Sequence, residues 1–197
     1  PQCAAGAGKL DRPRGSMSTD AFRTVADALP FTVATLYLWG QGEPFLCDGL
    51  LEMISYASSR GYKTVVSTNG HFLDDPDRIA QSGLTRLVVS LDGADEETYS
   101  RYRRGGDFEK VTGGIRELAA VIHQKRRGPR IELQCLLSRD TIPQRAGLTG
   151  LKRELRADSI IFKTMQLPYG ETADGYEPSD KRFSRYRRAG DGTRSAD

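Results

Sequence analysis

An α/β fold built on a parallel sheet is predicted by two features of the chain. Short apolar, β-branched runs alternate with longer stretches whose apolar residues recur every three or four positions, and the connections are short. The strand-like runs are also nearly continuous in apolar character, as expected of strands covered on both faces.

Five runs read as strands in order. Residues 32–39 (TVATLYLW) end at Gly40, residues 64–67 (TVVS) are stopped by Asn69-Gly70, and residues 87–91 (LVVSL) end at Asp92-Gly93. Residues 131–137 (IELQCLL) and 160–165 (IIFKTM) complete the set. Between them lie amphipathic stripes. Phe22, Val25 and Leu29 share one face, with Ser18 as N-cap and Asp20 in the first turn. Leu50, Leu51, Ile54 and Ala57 form the next stripe, ending near Gly61. Phe108, Val111, Ile115, Leu118 and Ile122 are spaced three, four, three and four, and Leu148, Leu151 and Leu155 mark the last stripe. Repeated strand–helix units satisfy either an open doubly wound sheet or a closed or partly closed barrel. In both, function sits at the carboxyl ends of the strands.

The 197 residues are 38% hydrophobic and 28% charged, which suits one globular domain with a real core. A formal net charge of +3 is too mild to imply a nucleic-acid partner. No apolar run approaches the roughly 20 residues that span a bilayer, so no membrane partner is expected. Three well-separated cysteines, Cys3, Cys47 and Cys135, argue against a disulfide framework and for a reducing, cytoplasmic compartment. Residues 170–197 lose apolar periodicity and read as a polar linker or tail. Its Arg-rich stretch from Lys181 to Arg188 is read as solvated, and nucleic-acid binding through it ranks last among the functions weighed.

Three strand ends carry the same mixture of glycine and a polar side chain: Gly40-Gln41-Gly42-Glu43-Pro44, Thr68-Asn69-Gly70-His71 and Ser90-Leu91-Asp92-Gly93. Asn-Gly and Asp-Gly are ordinary turn chemistry one at a time. At equivalent positions of successive units they point to a ligand site. Glu43, restricted by Pro44 to extended backbone, is placed to accept charge-assisted hydrogen bonds from a ligand ammonium. Its alternative reading is an acid at a helix N-terminus. Familiar phosphate motifs fail: Phe45 stands where a dinucleotide fingerprint needs its third glycine, and Leu10 follows Gly8-Lys9 where a P-loop needs Ser or Thr. His71 follows a turn and can approach the site, whereas His123 lies late in a helix on the surface. Neither a Ser-His-Asp arrangement nor a zinc ligand set can be assembled from spacing.

The series Cys3, Gly42-Glu43-Pro44, Ser67-Thr68-Asn69-Gly70, Ser90-Leu91-Asp92-Gly93 and Tyr99-x-x-x-Arg103 resembles the radical S-adenosylmethionine (radical SAM) enzymes. Gly105 to Val111 and Phe162 to Gln166 resemble the branch that carries a C-terminal SPASM or related auxiliary-cluster domain. The resemblance spans residues 1–168. It implies a partial (β/α)6 TIM-like barrel, lacking here its first strand and the auxiliary domain, with residues 169–197 leading toward the latter. It also implies a [4Fe-4S] cluster held by a Cys-x-x-x-Cys-x-x-Cys loop. Cys3 corresponds to the third ligand, the second falling immediately before Pro1 and the first four residues further upstream. The chain then reads as a fragment whose parent, rather than the piece alone, holds the cluster.

Carried over residue by residue, the resemblance has Gly42 and Glu43 receiving the methionine amino group of SAM. Ser90 bonds the ribose and Arg103 contacts the carboxylate or ribose side. Thr68 and Asn69 shape the cavity between them, Gln134 faces it from the next strand, and Asp92 fixes its loop. Cys47 and Cys135 match no ligand position and are expected to be incidental thiols. The implied reaction is reductive cleavage of SAM to a 5′-deoxyadenosyl radical that abstracts hydrogen from a substrate, with an electron donor as partner. The SPASM-like segments imply a peptide or protein substrate. A cluster-free barrel retained as a binding or scaffold protein is the alternative of a different class.

Overall fold

The computed structural model describes residues 11, 13, 15–165, 176–178, 180–184, 186–188 and 194–196. Five strands, β1 (Thr35–Tyr37), β2 (Lys63–Thr68), β3 (Arg86–Ser90), β4 (Arg130–Leu137) and β5 (Ser159–Thr164), form one sheet in chain order. Every neighbouring pair is parallel. A doubly wound sheet reverses its strand order at a switch point. Here each strand is added beyond the last, which is the order of a barrel wall. The barrel alternative is therefore the correct one of the two.

Six helices join or flank these strands: α1 (Thr19–Ala28), α2 (Leu50–Ser59), α3 (Pro76–Gln81), α4 (Glu96–Tyr102), α5 (Phe108–Lys125) and α6 (Arg145–Glu154). The Ser18 hydroxyl accepts from the Ala21 amide and starts α1 where the sequence places it. The stripe on α1 differs from expectation: Phe22 and Ala26 are buried, whereas Val25 is 52% exposed. Phe22 and Ala26 lie one above the other at i and i+4, and Val25 sits about 100° round the helix from Ala26. On α5 the expected face is buried at Phe108, Val111, Ile115 and Leu118. The short helices α3 and α4 have no full stripe to betray them. Their signals are local caps, with Asp75 and Asp95 accepting from the amides of Arg78 and Thr98. A proline at the first position of α3 adds to its cap.

Alternation along the strands sorts the two faces of the sheet. Val66, Leu87, Val89, Leu91, Ile131 and Leu133 pack with Ile54, Ile79, Ile115 and Leu118 of the helices into the main core. The opposite, concave face carries Ser67, Ser90 and Gln134, none of them fully buried. Tyr37 and Trp39 share that face at the β1 edge, 59% and 42% exposed, with their rings edge to face at 5.1 Å. Beyond β5, Tyr176 returns to the barrel, where its ring meets Tyr102 at 5.4 Å. Strands β6 (Tyr186–Arg188) and β7 (Arg194–Ala196) form a separate antiparallel ribbon. Among the described residues, no helix is long and apolar enough to cross a membrane.

Candidate functional site

The carboxyl end of β1 runs into Gly42, whose φ of 113° is a conformation that side chains rarely adopt. That turn delivers Glu43 to the start of a short 3-10 helix, Pro44–Leu46. Oε1 of Glu43 accepts from the Phe45 amide at 3.2 Å and from the Thr68 hydroxyl at 2.7 Å. Oε2 accepts from the Asn69 amide at 2.8 Å. The helix-start reading of Glu43 therefore holds, since it caps a helical turn, and the carboxylate is also tied to the end of β2. An ionised carboxylate offers about four acceptor positions. Three are filled, all by neutral donors, so one position on Oε2 stays open. Among the described residues it forms no ion pair with Lys, Arg or His.

The β2 end is built as tightly. Thr68 Oγ1 donates to Glu43 and accepts from the Gly70 amide at 3.0 Å. Gly70 has a φ of 84°, and a Cβ there would lie 2.8 Å from Val111 and 2.9 Å from Val89. Asn69 Oδ1 accepts from the His71 amide at 2.9 Å and lies 3.1 Å from His71 Nδ1. That leaves the Asn69 side-chain NH2 group without an internal partner among the described residues.

One strand over, Ser90 and Gln134 are register partners on β3 and β4. Neither side chain has a hydrogen bond within the described residues. Just beyond β3, Asp92 is 1% exposed and fully engaged. Its Oδ1 accepts from the Leu136 amide at 2.7 Å, and its Oδ2 accepts from Arg103 Nε at 2.7 Å and Nη2 at 2.6 Å. Burial opposes the Arg103 charge, but the adjoining Asp92 carboxylate outweighs it and holds the guanidinium above its ordinary value. Arg103 keeps its Nη1 donors for other use and is 27% exposed at its side chain. Asp92 thus fixes the loop, as expected.

Together the strand ends present an uncompensated acceptor at Glu43, a donor at Arg103, and unpaired polar groups at Asn69, Ser90 and Gln134. That arrangement is suited to a ligand carrying an ammonium at one end and a carboxylate or hydroxyls at the other. Sequence reading missed that Thr68 bridges Glu43 to the turn and that His71 reaches beyond it. The Asn-Gly-His run was the available signal.

The thiols divide clearly. Cys3 lies outside the described residues. Cys135 is fully buried, and burial pushes its thiol up to about 12. Cys47 closes the 3-10 helix with its Sγ 3.8 Å from the Met17 carbonyl. Neither has the surroundings of a cluster thiolate. Among the described residues no group of His, Cys, Asp and Glu is placed to hold a metal ion.

Comparison with known proteins gives the family and the fold. Residues 2–125 match the model of the Radical SAM superfamily. An AdoMet-dependent heme synthase of Methanosarcina barkeri is 26% identical over 179 residues, covering 89% of this chain and 50% of that protein. A probable GTP 3',8-cyclase of Methanococcus maripaludis is 35% identical over 108 residues, covering 53% of this chain and 36% of that protein. The chain thus spans about half, or less, of the length of these relatives. Streptococcus suis SuiB bound to S-adenosylmethionine superposes with a TM-score of 0.66 at 13% identity, over 86% of this chain and 39% of SuiB. The same enzyme bound to its precursor peptide SuiA gives 0.63 at 13% identity, over 80% of this chain and 35% of SuiB. These structural likenesses establish the fold.

Proposed function

The chain belongs to the radical SAM superfamily, and on that premise we propose that its strand ends form a SAM site serving radical chemistry on a separate substrate. Members of this family of enzymes use SAM with a [4Fe-4S] cluster. The observation that carries the reading is Glu43, a carboxylate held by three neutral donors with one acceptor position open. The amino group of SAM fills that position. Gly42 allows close approach of the backbone, and Asn69 and Thr68 line the wall between the two ends of the ligand. Ser90 and Gln134 meet the ribose side. Arg103, aimed by Asp92, meets the carboxylate or ribose through its remaining donors.

When bound, a reduced cluster supplies the electron that cleaves SAM to the 5′-deoxyadenosyl radical. Cys3 is assigned as one cluster thiolate, with its two partners upstream as the family motif requires. The described residues supply positioning: they orient the methionine end of SAM along the strand ends and exclude water from beneath it. Residues 1–168 form the core in this reading, and 169–197 lead toward a SPASM-type domain. The substrate is a peptide, a class supported by SuiB, whose barrel superposes here and was solved with a precursor peptide. A second reading rests on the heme synthase that aligns with 89% of the chain, and it makes a small-molecule substrate the competitor. An electron donor and a reducing, cytoplasmic setting complete the proposal.

The test is anaerobic reconstitution of the complete gene product with iron and sulfide, followed by assay for 5′-deoxyadenosine. SAM-dependent release under reductant is expected, and it should rise with the cognate peptide. A cluster-free product that binds no SAM would overturn the reading in favour of a scaffold barrel.

A further inference from the structure

Asp107 caps α5 through its own carboxylate, which accepts from the Lys110 amide at 2.8 Å. A capping box would place Glu or Gln at that third position, reaching back to the Asp107 amide. Lys110 cannot accept, so the amide needs another partner. His71 supplies it across the fold: its Nε2 accepts from the Asp107 amide at 2.9 Å. An accepting Nε2 carries no proton, which makes the neutral ring the Nδ1–H tautomer. Nδ1 then donates to Asn69 Oδ1 at 3.1 Å. One neutral imidazole therefore joins the start of α5 to the turn whose Asn69 amide and Thr68 hydroxyl hold Glu43.

We propose that His71 is a positioning residue of the ligand site: as the Nδ1–H tautomer it tethers the Thr68–Gly70 turn to α5 and so fixes the Glu43 carboxylate. The inference rests on the reading of Glu43 as the ammonium acceptor. It also sets the Asn69 amide, because both donors of His71 converge on Oδ1 and leave only NH2 to face a ligand. The tether exists only in the neutral ring. A proton on Nε2 would face the Asp107 amide donor to donor and release it. Asp74 of its own loop and Glu109, Lys110 and Glu117 of α5 line the same pocket as His71, and Asp107 meets its Nε2 through the backbone amide. Of these, Asp107 is engaged with the Lys110 amide, and Lys110 Nζ lies 3.9 Å from Asp74.

The experiment uses the complete gene product labelled with nitrogen-15, alongside H71Q and H71A. Long-range proton–nitrogen spectra report the tautomer, hydrogen exchange reports the Asp107 and Asn69 amides, and calorimetry reports SAM affinity. Gln offers an acceptor and a donor in place of the two ring nitrogens. The expected result is a protonated Nδ1 and a bare Nε2 at pH 8. H71A should exchange at both amides at least tenfold faster than wild type and bind SAM several-fold more weakly, with H71Q restoring both. An Nε2–H tautomer, or an H71Q that behaves as H71A, would overturn the proposal. Should H71A fail to fold, the wild-type tautomer and H71Q decide. A chain with the expected tautomer and exchange pattern that takes up no SAM would uphold the tether and overturn the SAM reading.

Discussion

Two carboxylates stand beyond the ends of β1 and β3, on either side of β2, and have opposite circumstances. Asp92 is buried, bonded to a backbone amide and paired through two nitrogens with Arg103. Glu43 is half-buried, held only by neutral donors, with one acceptor position open. Position at the end of a strand is thus no guide to role. What separates the two is whether the charge is compensated within the protein. Asp92 is completed internally and serves the frame, while Glu43 keeps an open acceptor position that the proposed function assigns to a ligand cation.

The sharpest way to break this contrast is to remove each carboxylate and compare stability. Asp92→Ala strands the Arg103 charge and the Leu136 amide, and should cost about 3 kcal/mol in urea unfolding, as when one member of a buried pair is lost. Glu43→Gln removes no ionic partner and should cost about 1 kcal/mol or less. Equal losses would erase the distinction. Next in size, Thr68→Val deletes the hydroxyl that bridges Glu43 to the Gly70 amide, at a cost of about 1–2 kcal/mol. SAM affinity should fall in the same variant, measured by calorimetry, because the open carboxylate loses its aim. Unchanged affinity would show that Thr68 only supports the turn.

A third test sits beside the Asp92 corner. The Tyr99 hydroxyl is buried with no hydrogen-bond partner among the described residues, next to Phe108. Tyr99→Phe should therefore leave stability unchanged or raise it by about 1 kcal/mol, since an unsatisfied buried group is a cost. A loss above that size would mean that the hydroxyl is satisfied in solution.

The smallest effect is alkaline. Burial raises Cys135 from an ordinary 9.0 to about 12 and Tyr99 from 10.0 to about 12. The unfolded chain therefore releases these protons first, and their stabilising contribution is full below about pH 9 and declines as pH rises toward 12. Cys135→Ala should flatten the part of the decline that begins at pH 9, read from urea midpoints at pH 8, 9.5 and 11. An unchanged slope would remove Cys135 as its source. In the native chain at pH 8, Cys135 should also resist a thiol reagent that labels Cys47.

Much of this was legible in the chain. The three-four spacing of Phe108, Val111, Ile115 and Leu118 locates α5, and Ser18 locates the start of α1, because both signals are local. Glu43 before Pro44, the Thr68-Asn69-Gly70 turn and Ser90 were visible as polar groups at strand ends. The pairing of Asp92 with Leu136, 44 residues away, was not, nor was the reach of His71 to Asp107 across 36 residues. Such contacts are set by how the loops pack over the barrel rim. Helices α3 and α4 were missed because 6 and 7 residues are too few to show a period. Val25 was misplaced because a three-residue step and a four-residue step diverge within one turn.

The central claim is that Glu43 is left incomplete for a ligand ammonium, and calorimetric titration of wild type and E43Q tests it most directly. SAM and its analogue lacking the amino group would each be titrated into both proteins. The account expects E43Q to weaken SAM by roughly tenfold or more, the scale of a charge-assisted hydrogen bond, and to leave the deaminated analogue nearly unchanged. Equal losses for the two ligands, or no loss for SAM, would contradict it.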